Sequence, residues 1–466
     1  MRARASALGS WRWPLGASMT VMLVATAMVL GAFAQRLPCL QSTRDSQGQI
    51  ALDWSNGRPF TDYCYTDVVA LYLADQLDRP GEFPYRTSWV ENAGTPFAQL
   101  HYVEYPVLTG LLMWAGAQIA QGVSGAGLFP DVATVVVFFG VLALVLGGAW
   151  LFVVRAVMAL SRREPRHALF VALSPLVIAQ LFTNFDTVAV AFATGGLLAW
   201  ARRRPGLAGV LLGLGGAAKA YPVLLLIPLL VLCARAGTLR AGGRAVVGAL
   251  VSWALVNDPI AILYPRGWAY FWRFSAMRGA GFESLYHIVA YFTGVGVDQR
   301  LAFNQSPLAL NALSAGLFVA ACLAICWMAL SAPRRPRLAP LCLLVVAAFL
   351  LLGKVYSPQY SLWLVPLAAL SLPRWRLLVP WMIIDALVWV PTLLFQRAAI
   401  GQGYFLGAIL VRDAAIAVIC AVVIRDVYRP QHDVLRRAGD DDPCGGVFDG
   451  APDHFTIGRR RLAVAR

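Results

Sequence analysis

Apolar segments about as long as a bilayer is thick recur along almost the whole sequence, and short turns rich in arginine separate them. A membrane-spanning helix requires about 20 consecutive, mostly apolar residues. Hydrophobic residues make up 59% of this chain and charged residues only 14%. A soluble domain has about 45–50% apolar and about 25% charged residues. The sequence therefore predicts an all-α polytopic membrane protein.

The basic residues follow a pattern that is also typical of membrane proteins. The net charge of +15 would suggest nucleic-acid binding in a soluble protein. Here the arginines cluster in turns between apolar segments, as in Arg202-Arg-Arg204 and Arg334-Arg335. Such clusters mark the cytoplasmic ends of membrane-spanning helices. We therefore expect no nucleic-acid partner, and we place these turns in the cytoplasm.

The first apolar segment, residues 15–34, follows Arg2, Arg4 and Arg12. Ala32-Phe-Ala34 resembles a signal-peptide cleavage site, so removal of this segment is an alternative to its retention as an anchor. Retention is favoured because many further apolar segments follow. Both interpretations place the amino terminus in the cytoplasm and the next polar stretch outside.

The number of spans depends on residues 106–120, an apolar segment of only about fifteen residues, which is short for a full span. If this segment crossed the bilayer, the clusters at Arg162 and Arg202 would both lie outside, against the usual distribution of positive charge. We therefore expect it to be re-entrant or interfacial. About twelve transmembrane helices then remain, with both termini in the cytoplasm.

This map divides the chain into three parts. Residues 1–14 are a cytoplasmic amino terminus, and residues 15–425 form the transmembrane domain. Residues 426–466 are polar and form a cytoplasmic tail that we expect to be disordered. Within the transmembrane domain, residues 35–105 and 265–306 form two long extracytoplasmic loops.

The first of these loops contains two aspartates among aromatic residues, Asp62 and Asp67. Loops of this length are uncommon in compact domains and are usually functional. A carboxylate is suited to accept the proton of a hydroxyl group, although ordinary solvation of the loop is the alternative interpretation. Asp67 and Asp62 are therefore the candidate catalytic residues.

The chain has two lysines, and each lies in a similar break between apolar segments, Lys219-Ala-Tyr-Pro and Lys354-Val-Tyr-Ser-Pro. Proline interrupts a helix, and the backbone groups that it frees must be satisfied by protein or by water in a cavity. An ammonium group suits a phosphate. Snorkelling of each lysine to the lipid headgroups is the alternative, but two lysines on the same side favour a polar cavity.

Further polar residues fall in the outward-facing turns. For Asp186, capping of the helix that follows is an alternative role. The glycine-rich run before Lys219 has the spacing of close helix packing, and it lacks the Gly-Lys-Ser/Thr of a phosphate-binding loop. The candidate substrate-binding residues are Lys219, Tyr221, Lys354, Tyr356, Glu104, Tyr105, Asp186, Asn184, Arg273, Arg278 and His287.

The cysteines predict one disulfide and no metal site. Cys39 and Cys64 both lie in the first long loop, on the oxidising side of the membrane, where disulfides persist. The other six cysteines fall in apolar segments or in the tail, and no spacing of Cys or His suggests a metal site. We expect a bridge between Cys39 and Cys64, and no metal.

Four segments share a pattern with a known family: residues 66–72, 83–85 and 102–108, and most specifically 209–225, where a glycine-rich helix runs into Lys-Ala-Tyr-Pro. In these segments the chain resembles glycosyltransferase family 87, whose members depend on polyprenyl-phosphate sugars and have the GT-C fold. Two positions depart from the family pattern. Tyr72 follows Asp67 by five residues instead of four, so Asp62 remains a rival, and Tyr105-Pro-Val stands where the family has Tyr-Pro-Pro.

The resemblance implies a GT-C-like integral-membrane hexosyltransferase of the bacterial plasma membrane, with an extracytoplasmic active site and no cofactor. It implies inverting transfer of a sugar, most often mannose, from a polyprenyl-phosphate donor to an envelope glycolipid or glycan. Asp67 would be the base, while Lys219, Lys354 or a loop arginine would stabilise the departing phosphate. A multi-pass transporter or flippase is the alternative, because broken helices and charges within the membrane are typical of such proteins.

Overall fold

The computed structural model describes residues 15–44, 46, 48–161, 164–298, 305–439 and 441–457. The amino-terminal arginines, the pair Arg162-Arg163 and the last nine residues of the predicted tail lie outside the described residues.

Helices dominate the structure. The α-helices are α1 (Leu15–Arg36), α2 (Arg58–Thr61), α3 (Asp67–Ala74), α4 (Val107–Gly125), α5 (Thr134–Leu160), α6 (Leu169–Ala172), α7 (Pro175–Gln180), α8 (Asp186–Ala201), α9 (Pro205–Ala218), α10 (Leu226–Ala236), α11 (Leu239–Leu263), α12 (Pro265–Met277), α13 (Leu285–Thr293), α14 (Leu308–Ser331), α15 (Leu338–Leu352), α16 (Leu364–Ser371), α17 (Trp375–Leu387), α18 (Trp389–Gln396), α19 (Gln402–Tyr428) and α20 (Val434–Arg437).

Two short hairpins accompany the helices in the first long loop. Strands β1 (Ser42–Arg44) and β2 (Ile50–Leu52) form one antiparallel pair. Strands β3 (Trp89–Glu91) and β4 (Gln99–His101) form the other. Since both hairpins lie between α1 and α4, the loop is a small folded layer on one end of the helical bundle.

Six helices in the described residues are long and apolar enough to cross a membrane, namely α1, α5, α11, α14, the α17–α18 pair and α19. Five shorter apolar helices lie between them: α6–α7, α8, α9, α10 with the 3-10 turn before it, and α15. The five shorter helices and the eight-residue α16 do not meet the length of a span by themselves, so the expected number of about twelve spans stays a prediction. The prediction of an all-α polytopic membrane protein is confirmed.

The tail packs against the arginine-rich turns at one end of the bundle. Arg203 donates a hydrogen bond to the carbonyl of Gly446 (3.1 Å). Arg235 pairs with Asp453 at 2.7 Å, and Arg337 pairs with Asp433 at 2.8 Å. The prediction of a disordered tail is therefore wrong for the described residues after 425, because its aspartates and carbonyls satisfy arginines of the bundle. We call this end of the molecule the tail end.

The opposite end holds both lysines. Helix α9 begins at the tail end, beside Arg203, and finishes at Lys219. Helix α15 likewise begins beside Arg337 and finishes just before Lys354. The arginine-rich turns and the two lysines thus lie at opposite ends of the bundle, as the charge pattern predicts. We call this second end the lysine end.

Helix α4 does not connect the two ends. At its start, the carbonyl of Pro106 accepts a hydrogen bond from the Tyr85 hydroxyl. Near its finish, the Gln121 amide donates to the carbonyl of Leu77 (2.8 Å), and the turn that follows is held by an ion pair between Asp131 and Arg44 (2.8 Å). These partners all belong to the first long loop, so both ends of α4 lie at the lysine end. This agrees with the expectation of a re-entrant or interfacial segment.

The glycine-rich helix α9 packs very closely on α11. A Cβ atom on Gly209 would lie 1.9 Å from the carbonyl oxygen of Ala245, and one on Gly213 would lie 2.2 Å from that of Ala249. No side chain fits there without moving the helices apart. The expected role of this glycine spacing in helix packing is therefore confirmed.

The predicted disulfide between Cys39 and Cys64 is present, with a Cα–Cα distance of 5.6 Å. It joins the exit of α1 to the chain just before α3. The second polar stretch, residues 265–306, is also ordered where it is described, because it forms the amphipathic helix α12 and the shorter helix α13. Both stretches bring polar residues over the lysine end.

Candidate functional site

Asp67 is held in place by the turn between α7 and α8. It is the first residue of α3, and the side chain of Thr66 caps that helix by accepting a hydrogen bond from Val68 N. The Thr66 hydroxyl donates to the carbonyl of Phe182 (2.6 Å), and the Asp67 amide donates to that of Thr183 (2.8 Å). The backbone around Asp67 is thus fixed from both sides.

The carboxylate of Asp67 accepts two side-chain hydrogen bonds. One comes from the Asn184 amide (2.7 Å), which also donates to the hydroxyl of Tyr105 (2.8 Å). The other comes from the hydroxyl of Tyr65. Burial raises the pKa of Asp67, while these donors and the charge of Lys219 oppose the rise. A raised pKa makes the ionised carboxylate a better proton acceptor.

Asp62 lies outside this arrangement. Its side chain is exposed, and its recorded partner is the neighbouring hydroxyl of Thr61 (3.0 Å). Tyr63 takes a left-handed conformation (φ 56°) and Cys64 enters the disulfide, so the chain turns between the two aspartates. The structure therefore separates Asp67 from its rival.

Asp67 borders a cavity of about 570 Å³ at the lysine end, which we call the central cavity. The polar and aromatic residues that line it include Asp67, Glu104, Tyr105, Asn184, Lys219, Tyr221, Arg278, Lys354, Gln359, Tyr360 and Trp363. They come from the first loop, the starts of α4 and α8, the break after α9, the end of α12 and the break after α15. The cavity thus exists because several helices end at one level.

Lys219 faces the central cavity with unused hydrogen-bonding capacity. Its ammonium group lies 3.4 Å from the Asp186 carboxylate, and its side chain is 17% exposed. The rings of Tyr360 and Tyr105 lie 5.0 Å and 5.6 Å from the nitrogen, within range of cation–π attraction. An ammonium has three N–H donors, so donors remain for an anionic ligand after the pairing with Asp186.

Asp186 anchors this part of the site. Its carboxylate accepts a hydrogen bond from the Trp363 indole (2.8 Å) as well as facing Lys219. The Trp363 ring stacks on Tyr221 at 4.3 Å and on Tyr360 at 4.4 Å. Asp186 is the first residue of α8 and makes no capping bond that the structure records, so the capping alternative is not realised.

Lys354 differs from Lys219, although the two sequence breaks look alike. Its ammonium donates to the side chain of Asn311 (2.5 Å) and to the carbonyls of Arg278 (2.6 Å) and Ala276 (3.3 Å). These three acceptors use its three donors, so Lys354 ties the end of α12 to α14. Burial, with the nearby charge of Arg278, lowers the pKa of Lys354 to about 8.

Glu104 and Asp75 are two acidic residues of the first long loop whose pKa values are raised by burial. Glu104 lines the central cavity, and burial raises its pKa to about 7. Asp75 follows α3 and is 5% exposed, and burial together with the charge of Glu104 raises its pKa to about 8. Both pKa values lie well above those of ordinary surface acids.

Three of the candidate residues lie away from the central cavity. Tyr356 is 1% exposed, and its hydroxyl hydrogen-bonds Ser361 (2.9 Å) beneath the ring contact with Arg412. His287 contacts Gln402. Arg273 lines a neighbouring groove that meets the central cavity at Phe274 and Arg278. Each was expected in an outward-facing turn, but Arg273 and His287 lie on helices α12 and α13, and Tyr356 turns into the core.

Five site residues were not among the candidates, one of them Gln359, which lines both the central cavity and the second cavity described below. Tyr65 binds Asp67, while Tyr360 and Trp363 lie in a segment that looks like the apolar start of a span. Arg36 is fully buried at the end of α1 and donates to the carbonyl of Tyr65 (2.5 Å) and the hydroxyl of Thr183 (2.8 Å). An arginine at the outward end of the first span was a usable signal, since arginines normally gather at the other end.

A second cavity, of about 660 Å³, opens on the other side of Asp67, and we call it the side cavity. It is lined by Trp389, Thr392, Gln396 and Phe282, among others. Asp67, Arg278 and Gln359 border both cavities. The Asp67 carboxylate is thus reachable from two directions. Within the described residues, no group of three or more His, Cys, Asp or Glu is placed to hold a metal ion.

The family model of glycosyltransferase family 87 matches residues 102–353, more than half of the chain. The chain belongs to glycosyltransferase family 87. The matched range includes Glu104, Asp186, Lys219 and Arg278, but Asp67 and Lys354 lie outside it. The family membership, together with the apolar helices, makes the protein a membrane glycosyltransferase and disfavours the transporter alternative.

Among solved structures, the chain is similar to the Archaeoglobus fulgidus oligosaccharyltransferase in complex with zinc and sulfate. The TM-score is 0.33 and the sequence identity is 14%. The alignment covers 87% of this chain and 53% of that structure, so the chain spans about half its length. No curated protein matches the chain significantly.

The saturated contacts of Lys354 generate a prediction about pH. Raising the pH through about 8 removes the proton of Lys354 and, with it, a charge and a donor that hold the end of α12. Glycosyl transfer by the full chain should therefore fall above about pH 8. Lys354→Arg, whose guanidinium stays protonated, should move that fall to higher pH. An unchanged profile in Lys354→Arg would show that another group controls it.

Proposed function

We propose that this family 87 member transfers a hexose, mannose in the first instance, from a polyprenyl-phosphate donor to a hydroxyl of an envelope glycolipid or glycan, with inversion. One observation carries the proposal: a carboxylate with a raised pKa, Asp67, and a cation with free donors, Lys219, face the same cavity. Transfer to a hydroxyl needs both groups, a base at the acceptor and a positive charge at the departing phosphate.

The proposed reaction has one step. The acceptor oxygen attacks the anomeric carbon while its proton passes to Asp67. The bond between that carbon and the donor phosphate oxygen breaks, and its electron pair leaves with the polyprenyl phosphate. Attack and departure on opposite faces of the sugar give inversion. Lys219 and Arg278 hold the phosphate charge as it develops.

The two cavities suggest where each substrate lies. The central cavity contains Lys219 and Arg278 together with the apolar rings of Phe271 and Phe349, which suits a phosphate on a lipid chain. The side cavity contains Gln359 and Gln396, together with Trp389, which suits a sugar. We propose the donor for the central cavity and the acceptor for the side cavity. Asp67, at their junction, then faces the acceptor hydroxyl.

Asp67→Asn should lower the rate of transfer at least about a hundredfold, since general-base catalysis contributes about 10²–10⁴-fold. The asparagine keeps the shape of the side chain but cannot take the proton. The measurement is transfer of radiolabelled mannose from polyprenyl-phosphate mannose, in membranes containing each variant. Asp62→Asn is the matched control and should transfer normally. Loss of activity in Asp62→Asn with normal activity in Asp67→Asn would reverse the assignment, and full activity in both would refute a catalytic role for this loop.

Lys219→Ala should impair the donor side of the reaction. It removes the positive charge that faces the phosphate and leaves Asp186 without its ion pair. We expect a reduced turnover or a raised KM for the donor, with the KM for the acceptor little changed. Lys219→Arg keeps the charge and should restore part of the activity. A defect confined to the acceptor KM would contradict this role.

The lysine end is proposed to face the outside of a bacterial plasma membrane, with both termini in the cytoplasm. Two exposed arginines at opposite ends of the fold test this, Arg397 at the lysine end and Arg202 at the tail end. In intact cells, an impermeant thiol reagent should label Arg397→Cys but not Arg202→Cys. The unsubstituted chain measures background from native cysteines. The reverse labelling pattern would invert the proposed orientation.

A further inference from the structure

Three arginines on or next to helix α12 differ from most paired arginines of the chain, such as Arg44 and Arg58 of the first long loop, which form ion pairs with Asp131 and Asp53. At the tail end, Arg235, Arg337 and Arg374 each form an ion pair with an aspartate at 2.7–2.8 Å. At the lysine end, helix α12 and the residue after it carry Arg266, Arg273 and Arg278. For these three, the described residues offer no carboxylate within ion-pair distance. Arg278 is close enough to Glu104 for its charge to lower the pKa of that carboxyl, so Arg266 and Arg273 are the two whose positive charge is available to a ligand.

These arginines line a groove of about 930 Å³ between α12 and the β3–β4 hairpin, which we call the basic groove. Arg266, Tyr270, Arg273 and Met277 are spaced by three or four residues, so they share one face of α12. Gln99 and Leu100 of the hairpin line the opposite side. The groove thus has two walls, unlike an open patch of arginines beside a bilayer.

Aromatic rings alternate with the charges along this wall. Tyr102 and Tyr270 lie with ring centroids 5.7 Å apart, and Tyr270 stacks with Phe274 at 6.1 Å. A hydrogen bond between the Tyr270 hydroxyl and the His101 ring (2.8 Å) fixes the central ring of the series. Rings of this kind present flat apolar faces, and such faces pack well against the C–H faces of sugars.

The basic groove is continuous with the site through shared residues. Arg278 and Phe274 line both the basic groove and the central cavity, and Arg278 also lines the side cavity. An acceptor that reaches Asp67 from the side cavity therefore has a path past Arg278 that leads its other end to Arg273 and Arg266. This continuity makes the groove an extension of the substrate site.

We propose that the basic groove binds an anionic group, a phosphate or a carboxylate, on a saccharide acceptor, away from the hydroxyl that reacts. The inference rests on the proposed function and adds an acceptor class, a negatively charged glycan or glycolipid. Arg266 and Arg273 bind the anion by charge-assisted hydrogen bonds, and Tyr102 and Tyr270 contact the adjoining sugar. Arg278 sits at the junction with the reaction site.

The test uses the purified full chain in nanodiscs and glucose 6-phosphate as the probe, with glucose and inorganic phosphate for comparison. The binding constants of the wild-type chain are compared with those of Arg266→Gln/Arg273→Gln, Lys219→Ala and Arg397→Gln. Arg397 is an exposed arginine at the same end that does not line the groove, so it is the matched control. Both groove arginines are exposed, and an unchanged melting temperature verifies that the double variant folds.

We expect glucose 6-phosphate to bind more tightly than either comparison ligand, and the double variant to weaken that binding at least about tenfold. Arg397→Gln should bind normally. Lys219→Ala should also keep the binding, which separates the groove from the central cavity. Unchanged affinity in the double variant, equal binding of glucose, or loss of binding in Lys219→Ala would each overturn the proposal.

Two further comparisons complete the test. The first distinguishes an anion on the acceptor from a lipid headgroup, and the second distinguishes binding in the groove from the proposed transfer reaction. Nanodiscs of phosphatidylcholine alone are compared with nanodiscs that also contain phosphatidylglycerol. Equal binding in both supports an acceptor site, whereas loss of binding in phosphatidylglycerol would assign the groove to lipid headgroups and overturn the proposal. Asp67→Asn should bind the probe like the wild type. A failed prediction about transfer would therefore leave the binding result standing, and the reverse also holds.

Discussion

The buried guanidinium of Arg36 connects the first long loop, just before Asp67, to helix α7 and the turn that follows it. It lies at the end of the first span and donates hydrogen bonds to the carbonyl of Tyr65, the carbonyl of Ala179 and the hydroxyl of Thr183. The first two partners lie in segments that flank Asp67 on either side. The Nε of Arg36 has no hydrogen-bond partner among the described residues. Because a buried charge is costly unless hydrogen bonds compensate it, the three bonds from its terminal nitrogens hold the loop and the α7–α8 turn in one relative position. The disulfide three residues further along secures the same junction by covalent means.

Much of the fold was predictable because a bilayer leaves few choices for the backbone. Apolar length sets the spans, and the distribution of arginine assigns their ends. Residues 15–34, for example, were expected as an apolar span and lie within α1. The tail was mispredicted because polar composition normally signals disorder, whereas here Asp433 and Asp453 meet arginines that need partners. Whether a charged segment folds depends on its partners, and these belong to distant parts of the chain.

The sequence allowed us to predict which residues belong to the site better than the direction in which their side chains point. Asp67, Lys219 and Asp186 were identified from their positions and do lie together. The two lysine breaks share a similar sequence, yet Lys354 is saturated by protein acceptors and Tyr356 turns into the core. Spacing alone does not say which way a side chain leaves a broken helix. Trp363 was overlooked for a related reason, because an aromatic ring in an apolar segment gives no sign that its N–H is bonded to Asp186.

The contact of Gly209 and Gly213 with α11 has a mechanical consequence. The two glycines let α9 lie almost backbone to backbone against its neighbour, and α9 is a short, stiff rod with Lys219 at its far tip. A methyl group at this contact would tilt α9 relative to α11. Because the helix rises about 1.5 Å per residue, the displacement grows with distance from the contact and would be greatest at the Lys219 ammonium group. Placement of that charge beside Asp186 is thus set by a contact that contains no charge and lies a full helical turn or more away.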